Sequence, residues 1–273
     1  MTPHRYCVVG NPVEHSKSPV IHRLFAEQTG RQLSYDKVLL PTERFAGALQ
    51  QLFADGLNGC NVTVPFKEQA AELCDELTER ARLPMAVNTI IRRADGRLLG
   101  DNTDGVGLVT DLQINNAVAL QGRRLLILGA GGAARGIIKP LLDARPALLL
   151  VANRTADKAR LLAEHFQAHG PIEHRDYSAL TDGSFDLIIN ATSSSLSGQV
   201  PAIPESCIGN ATTVYDLMYA KQPTAFLEWA LRLGANRAID GLGMLVEQAA
   251  EAFYLWEHVR PQTGDVIAYL KTG

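Results

Sequence analysis

Lys67 carries the side chain that could move a proton at a carbonyl. It ends the stretch Asn61-Val62-Thr63-Val64-Pro65-Phe66-Lys67, where strand-like alternation meets a proline able to begin a helix. A lysine ammonium can protonate a carbonyl oxygen and stabilise the alkoxide developing on it. A carboxylate that orients the lysine completes such a pair, and Asp104, in Asn102-Thr103-Asp104-Gly105, is a candidate. Ser16-Lys17-Ser18-Pro19 adds two hydroxyls at a helix start, suited to an anionic group. Taken singly, each segment also has an ordinary explanation. A surface lysine is commonly a solvated charge, Asn-Thr-Asp is a helix-cap cluster, and Ser18 can simply cap a helix after a turn at Ser16.

A second chemistry is written in Gly129-Ala130-Gly131-Gly132-Ala133-Ala134. The pattern G-x-G-x-x-A follows an apolar run and opens a helical pattern, as a dinucleotide-binding turn requires. Gly129 permits the tight turn, Gly131 lets the backbone approach a pyrophosphate, and Ala134 allows close helix–strand contact. The unpaired N–H groups at the helix start then face the phosphates. The next strand ends at Asn153-Arg154-Thr155, with Lys158 close by. An NAD site usually carries an acid near this place for the ribose 2′-hydroxyl. A cation and a hydroxyl suit a 2′-phosphate instead, so the reading is NADP(H).

The elements that must position these residues follow from periodicity. Tyr6–Val9 reads as a strand ending in the turn Gly10-Asn11-Pro12, followed by a helix capped by Ser18 and running to about Gly30. Tyr35–Leu39 is a second strand, and Thr42, Phe45, Leu49, Leu52 and Phe53 line a helix. Val87–Arg92 and Arg97–Leu99 flank Ala94-Asp95-Gly96, which reads as a hairpin turn. The segments Leu125–Leu128, Leu148–Val151, Asp186–Ile189 and Thr213–Asp216 are apolar runs of the kind buried on both faces of a parallel sheet, with helical stretches between them. That rhythm predicts an α/β chain containing a doubly wound, Rossmann-type parallel sheet. From Gly241 onward the chain is helical, with Leu245, Ala249, Ala252, Phe253 and Trp256 on one face, and these helices are expected to pack back on the first domain. The expected division is 1–105 with 238–273 as one domain and 106–237 as the nucleotide-binding domain.

Composition bounds the function. The chain has 273 residues, a formal charge of −3, 46% apolar and 20% charged residues, which supports a substantial core and gives no basic face for nucleic acid. No apolar run approaches the roughly 20 residues of a membrane span, and the charged N-terminus does not read as a signal peptide. Four dispersed cysteines fit reduced thiols better than a disulfide framework, and no metal-ligand spacing is present. His165 and His169 stand four apart on a predicted helix, with solvated side chains the simpler reading. The expectation is a cytoplasmic protein acting on a small molecule, as a monomer or homodimer, without nucleic-acid or membrane partners.

The segments together are far more specific than apart. GNPVEHSKSP, NVTVPFK, AVNT (Ala86–Thr89), GDNTDGVG (Gly100–Gly107), GAGGAARG, NRT, INATSSS (Ile189–Ser195) and DGLGMLVEQA (Asp240–Ala249) occur in one order across nearly the whole chain. In this the chain resembles the shikimate dehydrogenases. The resemblance implies NADPH-dependent reduction of 3-dehydroshikimate to shikimate, on the route to chorismate and the aromatic amino acids. It implies an α/β substrate domain completed by C-terminal helices, a Rossmann domain and a cleft between. Carried onto matching positions, Ser16 and Ser18 would bind the substrate carboxylate. Thr63, Lys67, Asn88, Asp104 and Gln248 would hold the ring hydroxyls, and Tyr219 would be the substrate tyrosine. Lys67 would be general acid/base with Asp104 as its partner. Cofactor contacts would fall on Gly129, Ala130, Gly131, Gly132, Ala133, Asn153, Arg154, Thr155, Lys158, Leu217, Gly241 and Glu79. One departure is Ser195, where many relatives would carry glycine, which puts the local loop shape in question. The alternatives are a broad quinate/shikimate dehydrogenase, a reductase of another carbonyl, and a dinucleotide sensor without turnover. Arg154 weighs against the first, Lys67 and Asp104 against the last.

Overall fold

The computed structural model describes residues 3–181 and 183–272, and they divide into two compact units. Unit 1 comprises 1–107 with 246–273, and unit 2 comprises 108–245.

Unit 1 is built on a mixed sheet. Its strands are β1 (His4–Gly10), β2 (Leu33–Leu39), β3 (Gly59–Val62), β4 (Glu76–Leu77), β5 (Thr89–Arg92) and β6 (Leu98–Asp101), in the spatial order β2-β1-β3-β5-β6-β4. β1 runs parallel to β2 and β3, while β5 is antiparallel to both β3 and β6. The expected hairpin is therefore present as β5–β6. Helices α1 (Ser18–Thr29), α2 (Phe45–Ala54), α3 (Lys67–Leu73) and α4 (Glu79–Arg82) connect the strands. Cys7, Val9, Phe45, Leu49, Cys60, Val62, Phe66 and Ile90 form a core beneath α2 and α3, with the rings of Phe45 and Phe66 stacked at 4.2 Å. All four cysteines are free thiols.

This topology decides where the polar residues go. Because β5 is reversed, the carboxyl ends of β1, β3 and β6 lie at the same edge of the sheet as the amino end of β5. Ser16 and Ser18 follow β1, Thr63 and Lys67 follow β3, Asn88 precedes β5 and Asp104 follows β6. Four loops distant in sequence thus converge on one edge.

The chain leaves unit 1 through α5 (Asp104–Thr110), continued by a π-helical turn at Asp111–Asn115. Unit 2 is a wholly parallel sheet of β7 (Arg124–Leu128), β8 (Leu148–Asn153), β9 (Ile172–Asp176), β10 (Leu187–Asn190), β11 (Thr213–Asp216) and β12 (Arg237–Ile239). The order β12-β11-β10-β7-β8-β9 is that of a doubly wound fold, with its switch point between β7 and β10. Helices α6 (Gly132–Asp143), α7 (Ala156–Phe166) and α8 (Ala225–Arg232) cover it. Leu126, Leu128, Leu150, Ile188 and Val214 are fully buried, which is why their segments read as unbroken apolar runs. Unit 2 runs to Leu245, and Arg237–Ile239 forms its edge strand against β11.

The chain returns through α9 (Leu242–Glu257) and ends with α10 (Gly264–Thr272). The part of α9 in unit 1 packs on the sheet. Trp256 stacks on Tyr6 at 4.5 Å and donates its indole N–H to the Ile90 carbonyl at 3.1 Å. Arg80 bridges Asp101 at the end of β6 (2.6 Å) to Glu251 on α9 (2.8 Å). Among the described residues no helix is long and apolar enough to cross a membrane.

Candidate active site

At the convergent edge of unit 1, Lys67 begins α3 and its Nζ donates to Asp104 Oδ2 at 2.5 Å. The other carboxylate oxygen, Oδ1, accepts from Asn88 Nδ2 at 2.7 Å. The orientation of the Asn88 amide is forced. Its Oδ1 accepts the backbone N–H of Thr103 at 2.8 Å and the Thr89 hydroxyl at 2.9 Å, and a backbone N–H can only donate. The NH2 group must then face Asp104. Asp104, Asn88, Thr89 and Thr103 are all buried, while Lys67 is half-buried and keeps a route to a bound molecule. The amide of Asn88 also reaches Gln248 Oε1 on α9 at 3.3 Å.

The two serines sit together before this cluster in the chain. Ser16 Oγ lies 3.2 Å from Ser18 Oγ and accepts the Ser18 backbone N–H at 3.3 Å. Ser18, expected as the cap of α1, is instead its first helical residue, and Lys17 occupies the cap position without a side-chain cap bond. Pro19 fits the first turn, as expected, because its missing N–H would be unpaired there in any case. Thr63 is half-buried at the turn after β3, with its N–H on the Val9 carbonyl and its carbonyl on the Phe66 N–H.

Behind these residues lies a layer of unit 1 that sequence reasoning missed. Tyr35 donates to Asn61 Oδ1 at 2.6 Å, and Asn61 Nδ2 reaches Thr89 Oγ1 at 3.1 Å. His22 stacks on Tyr35 at 4.2 Å and is fully buried, and among the described residues neither ring nitrogen has a hydrogen-bond partner. Burial pushes its pKa from 6.5 down to about 3, so the ring is neutral. The available signal was Asn61 itself, a polar residue at a strand position whose neighbours alternate inward.

In unit 2 the glycine turn follows β7. Gly129 has φ of +108°, and a Cβ there would stand 3.1 Å from the Ala191 carbonyl oxygen, so the position needs glycine. Gly131 caps α6 in an extended conformation, and a Cβ there would meet nothing within 4 Å. The first turn of α6, which includes Gly132 and Ala133, carries no acid, so its N–H groups face no carboxylate on their own helix. Ala130 is half-buried beside them. Asn153 ends β8 and its amide holds the Thr155 carbonyl at 3.0 Å, while Arg154, Thr155 and Lys158 are exposed. Among the described residues neither Arg154 nor Lys158 is ion-paired. An open backbone cradle at a helix start, next to an exposed cation pair, fits a dinucleotide carrying an extra phosphate.

Three family models match the chain in series. They are the shikimate dehydrogenase substrate binding domain over residues 8–90, shikimate/quinate 5-dehydrogenase over 112–199, and the shikimate 5′-dehydrogenase C-terminal domain over 241–268. A shikimate dehydrogenase (NADP(+)) of Hahella chejuensis is 52% identical over 268 residues, 98% of each chain. That of Chromohalobacter salexigens is 54% identical over 266 residues, 97% of each. The chain belongs to the shikimate dehydrogenase family. Among solved structures, the Thermus thermophilus shikimate 5-dehydrogenase in complex with NADP(H) and shikimate superposes with a TM-score of 0.87. It is 31% identical, over 98% of this chain and 99% of that one.

For this shikimate dehydrogenase family member, the structure gathers Lys67, Asn88, Asp104 and Gln248 into one hydrogen-bonded group. Tyr219 lies in unit 2, half-buried on the turn after β11, with Leu217. Gly241 packs so tightly on the Leu217 carbonyl that no Cβ fits. Glu79 is exposed in the first turn of α4 and belongs to unit 1, whereas the other cofactor candidates belong to unit 2. Ser195, where glycine was expected, sits in the turn Ser194–Ser197 without a left-handed backbone and donates to Asp216 at 2.6 Å. The loop therefore needs no glycine at that position.

Proposed function

We propose that this chain reduces 3-dehydroshikimate to shikimate with NADPH, reversibly, as a step toward chorismate and the aromatic amino acids. The observation that carries the reading is the contact of Lys67 Nζ with Asp104 Oδ2, on a carboxylate whose second oxygen is held by Asn88.

NADPH, when bound, supplies the hydride. Lys67 gives the proton to the carbonyl oxygen and stabilises negative charge as it develops there. In the reverse direction it accepts the proton from the hydroxyl. Asp104 holds the ammonium in place and can accept a hydrogen bond from a neighbouring substrate hydroxyl. Asn88, Thr63 and Gln248 present further polar groups to the ring hydroxyls. The paired hydroxyls of Ser16 and Ser18 bind the substrate carboxylate, and Tyr219 is the substrate tyrosine. The Gly129–Ala133 turn takes the pyrophosphate on backbone N–H groups. Asn153, Arg154, Thr155 and Lys158 take the adenosine ribose and its 2′-phosphate, and Leu217 and Gly241 line the nicotinamide end. Glu79 is the one cofactor position that belongs to unit 1, with the substrate residues, and its assignment rests on the family resemblance alone. The reading also takes the chain as a cytoplasmic monomer or homodimer, which cell fractionation and light scattering test.

The deciding experiment is initial-rate measurement, by NADPH absorbance, with shikimate and quinate, each against NADP+ and NAD+. Fast turnover confined to shikimate with NADP+ is the expected result. Comparable rates with quinate or NAD+ would move the chain to the broad-specificity alternative. Absence of turnover in every pair, with NADP+ still bound, would overturn the reading.

A further inference from the structure

Asp216 ends β11 with no solvent exposure, and both its oxygens are fully engaged. Oδ1 accepts from Asn190 Nδ2 at 3.2 Å and from the backbone N–H of Met218 at 3.1 Å. Oδ2 accepts from the hydroxyls of Ser195 and Thr224, each at 2.6 Å. A carboxylate offers about four acceptor positions, and here all are taken by uncharged donors. Among the described residues no cation is a direct partner of this buried carboxylate, and four donors, two of them at 2.6 Å, offset the cost of burying it.

The donors come from separate places. Asn190 ends β10, Ser195 lies in the turn after it, Met218 lies in the turn after β11, and Thr224 caps α8. The turn after β11 is held at both faces, because the Met218 carbonyl accepts the Gly241 N–H at 3.1 Å and the Leu217 N–H reaches the Asn190 carbonyl at 3.0 Å. Asn190 also shapes its own loop through Thr192, whose N–H and hydroxyl both donate to Asn190 Oδ1. In a doubly wound sheet the ligand lies beyond the carboxyl ends of the strands, at the switch point, with one mononucleotide on each half. Here the phosphate turn and Arg154 belong to the β7–β8–β9 half. Asp216 ties together the strand ends of the other half, the one left for the nicotinamide.

We propose that Asp216 is a positioning residue for the nicotinamide half of the cofactor site, and that Ser195 is the specific link through which it sets the turn after β10 against the Leu217–Tyr219 turn. The inference rests on the NADP reading given above. It assigns no proton or hydride step to either residue.

The test is calorimetric binding of two probes, NADP+ and 2′-phospho-ADP-ribose, which lacks the nicotinamide ring. They are compared on the wild type, Ser195→Ala and Asp216→Asn. Ser195→Ala removes both the hydroxyl donor to Asp216 and the acceptor that the Asn190 amide meets at 3.1 Å. It is expected to weaken NADP+ binding by about 5-fold or more, the value of two lost hydrogen bonds, while 2′-phospho-ADP-ribose binds as before. Asp216→Asn places an NH2 group against a donor and is expected to give a larger loss with the same selectivity. If it does not fold, Ser195→Ala decides. Equal loss for both probes would mean a merely structural role and would overturn the inference, as would no loss for either. A wild type that binds neither probe would overturn the NADP reading and take this inference with it.

Discussion

Lys67 Nζ and Asp104 Oδ2 stand 2.5 Å apart, and the opposite oxygen of that carboxylate is claimed by Asn88. Each oxygen of Asp104 therefore faces a group that can only donate. The consequence for Asp104→Asn is specific. Its amide must turn an NH2 either to the ammonium of Lys67 or to the NH2 of Asn88, since the Thr103 N–H keeps Asn88 from flipping. One donor is left without an acceptor in a buried site, at a cost of about 1–3 kcal/mol. Turnover should fall while NADP+ affinity stays at the wild-type value. Steady-state rates with calorimetric NADP+ titration check both halves. Unchanged kcat would remove Asp104 from the mechanism.

Lys67→Ala should lower kcat by roughly 10²–10⁴, the usual effect of losing a general acid–base group. Removing the side chain also leaves the buried Asp104 carboxylate without its cation, so the melting temperature should fall as well, and kcat is therefore measured on the folded variant. Wild-type kcat in this variant would exclude the lysine as the proton donor.

Arg154 is exposed at the end of β8, so its contribution should be felt only where a ligand carries a charge for it to meet. Arg154→Ala is expected to raise KM for NADP+ by roughly 10-fold or more, within the range for a charge-assisted hydrogen bond. KM for NAD+ should move by less than about 3-fold. Equal weakening of the two cofactors would end the assignment of the 2′-phosphate to this residue.

His22 gives the acid limb of stability a defined origin. In the unfolded chain it titrates near its ordinary value of 6.5, whereas burial holds it to about 3 in the fold. Between those values the unfolded state binds the extra proton, so stability falls as pH falls through that window, by on the order of several kcal/mol at its lower end. His22→Phe retains a ring to stack on Tyr35 and removes the titration. The loss of melting temperature from about pH 7 to about pH 4.5 should be smaller in the variant than in the wild type. Parallel curves would show that the fold accommodates the protonated ring.

What the sequence disclosed, and what it withheld, follows from burial. β7, β8, β10 and β11 were legible because strands covered on both faces are continuous apolar runs. β9 and β12 were not. Ile172-Glu173-His174-Arg175-Asp176 and Arg237-Ala238-Ile239 are sheet edges, short or charged, and carry no run to find. The site was legible as separate motifs, since Lys67 and Asp104 are the right groups at the ends of recognisable elements. Their meeting depends on β5 running against its neighbours, which sets the strand ends at one edge. No local pattern encodes that. The buried polar layer of Asn61, Thr89 and Thr103 was equally hidden, because each residue alone reads as an ordinary strand or cap residue.

Two glycines of one turn should separate stability from binding. Gly129 holds φ of +108°, and an added Cβ would press on the Ala191 carbonyl and on Thr192. Gly129→Ala should therefore cost about 1–3 kcal/mol of stability through backbone strain and contact, visible as a lower melting temperature without any ligand. Gly131 has φ of −90° and ψ of −172°, a conformation open to any L-residue, and its Cβ would meet nothing. Gly131→Ala should melt as the wild type does. Yet the space above Gly131 is where a pyrophosphate must approach the backbone at the start of α6, and a methyl group there holds it off. NADP+ affinity should drop in Gly131→Ala despite its intact fold. A Gly131→Ala chain that binds NADP+ normally would place the pyrophosphate elsewhere, whatever the outcome at Gly129.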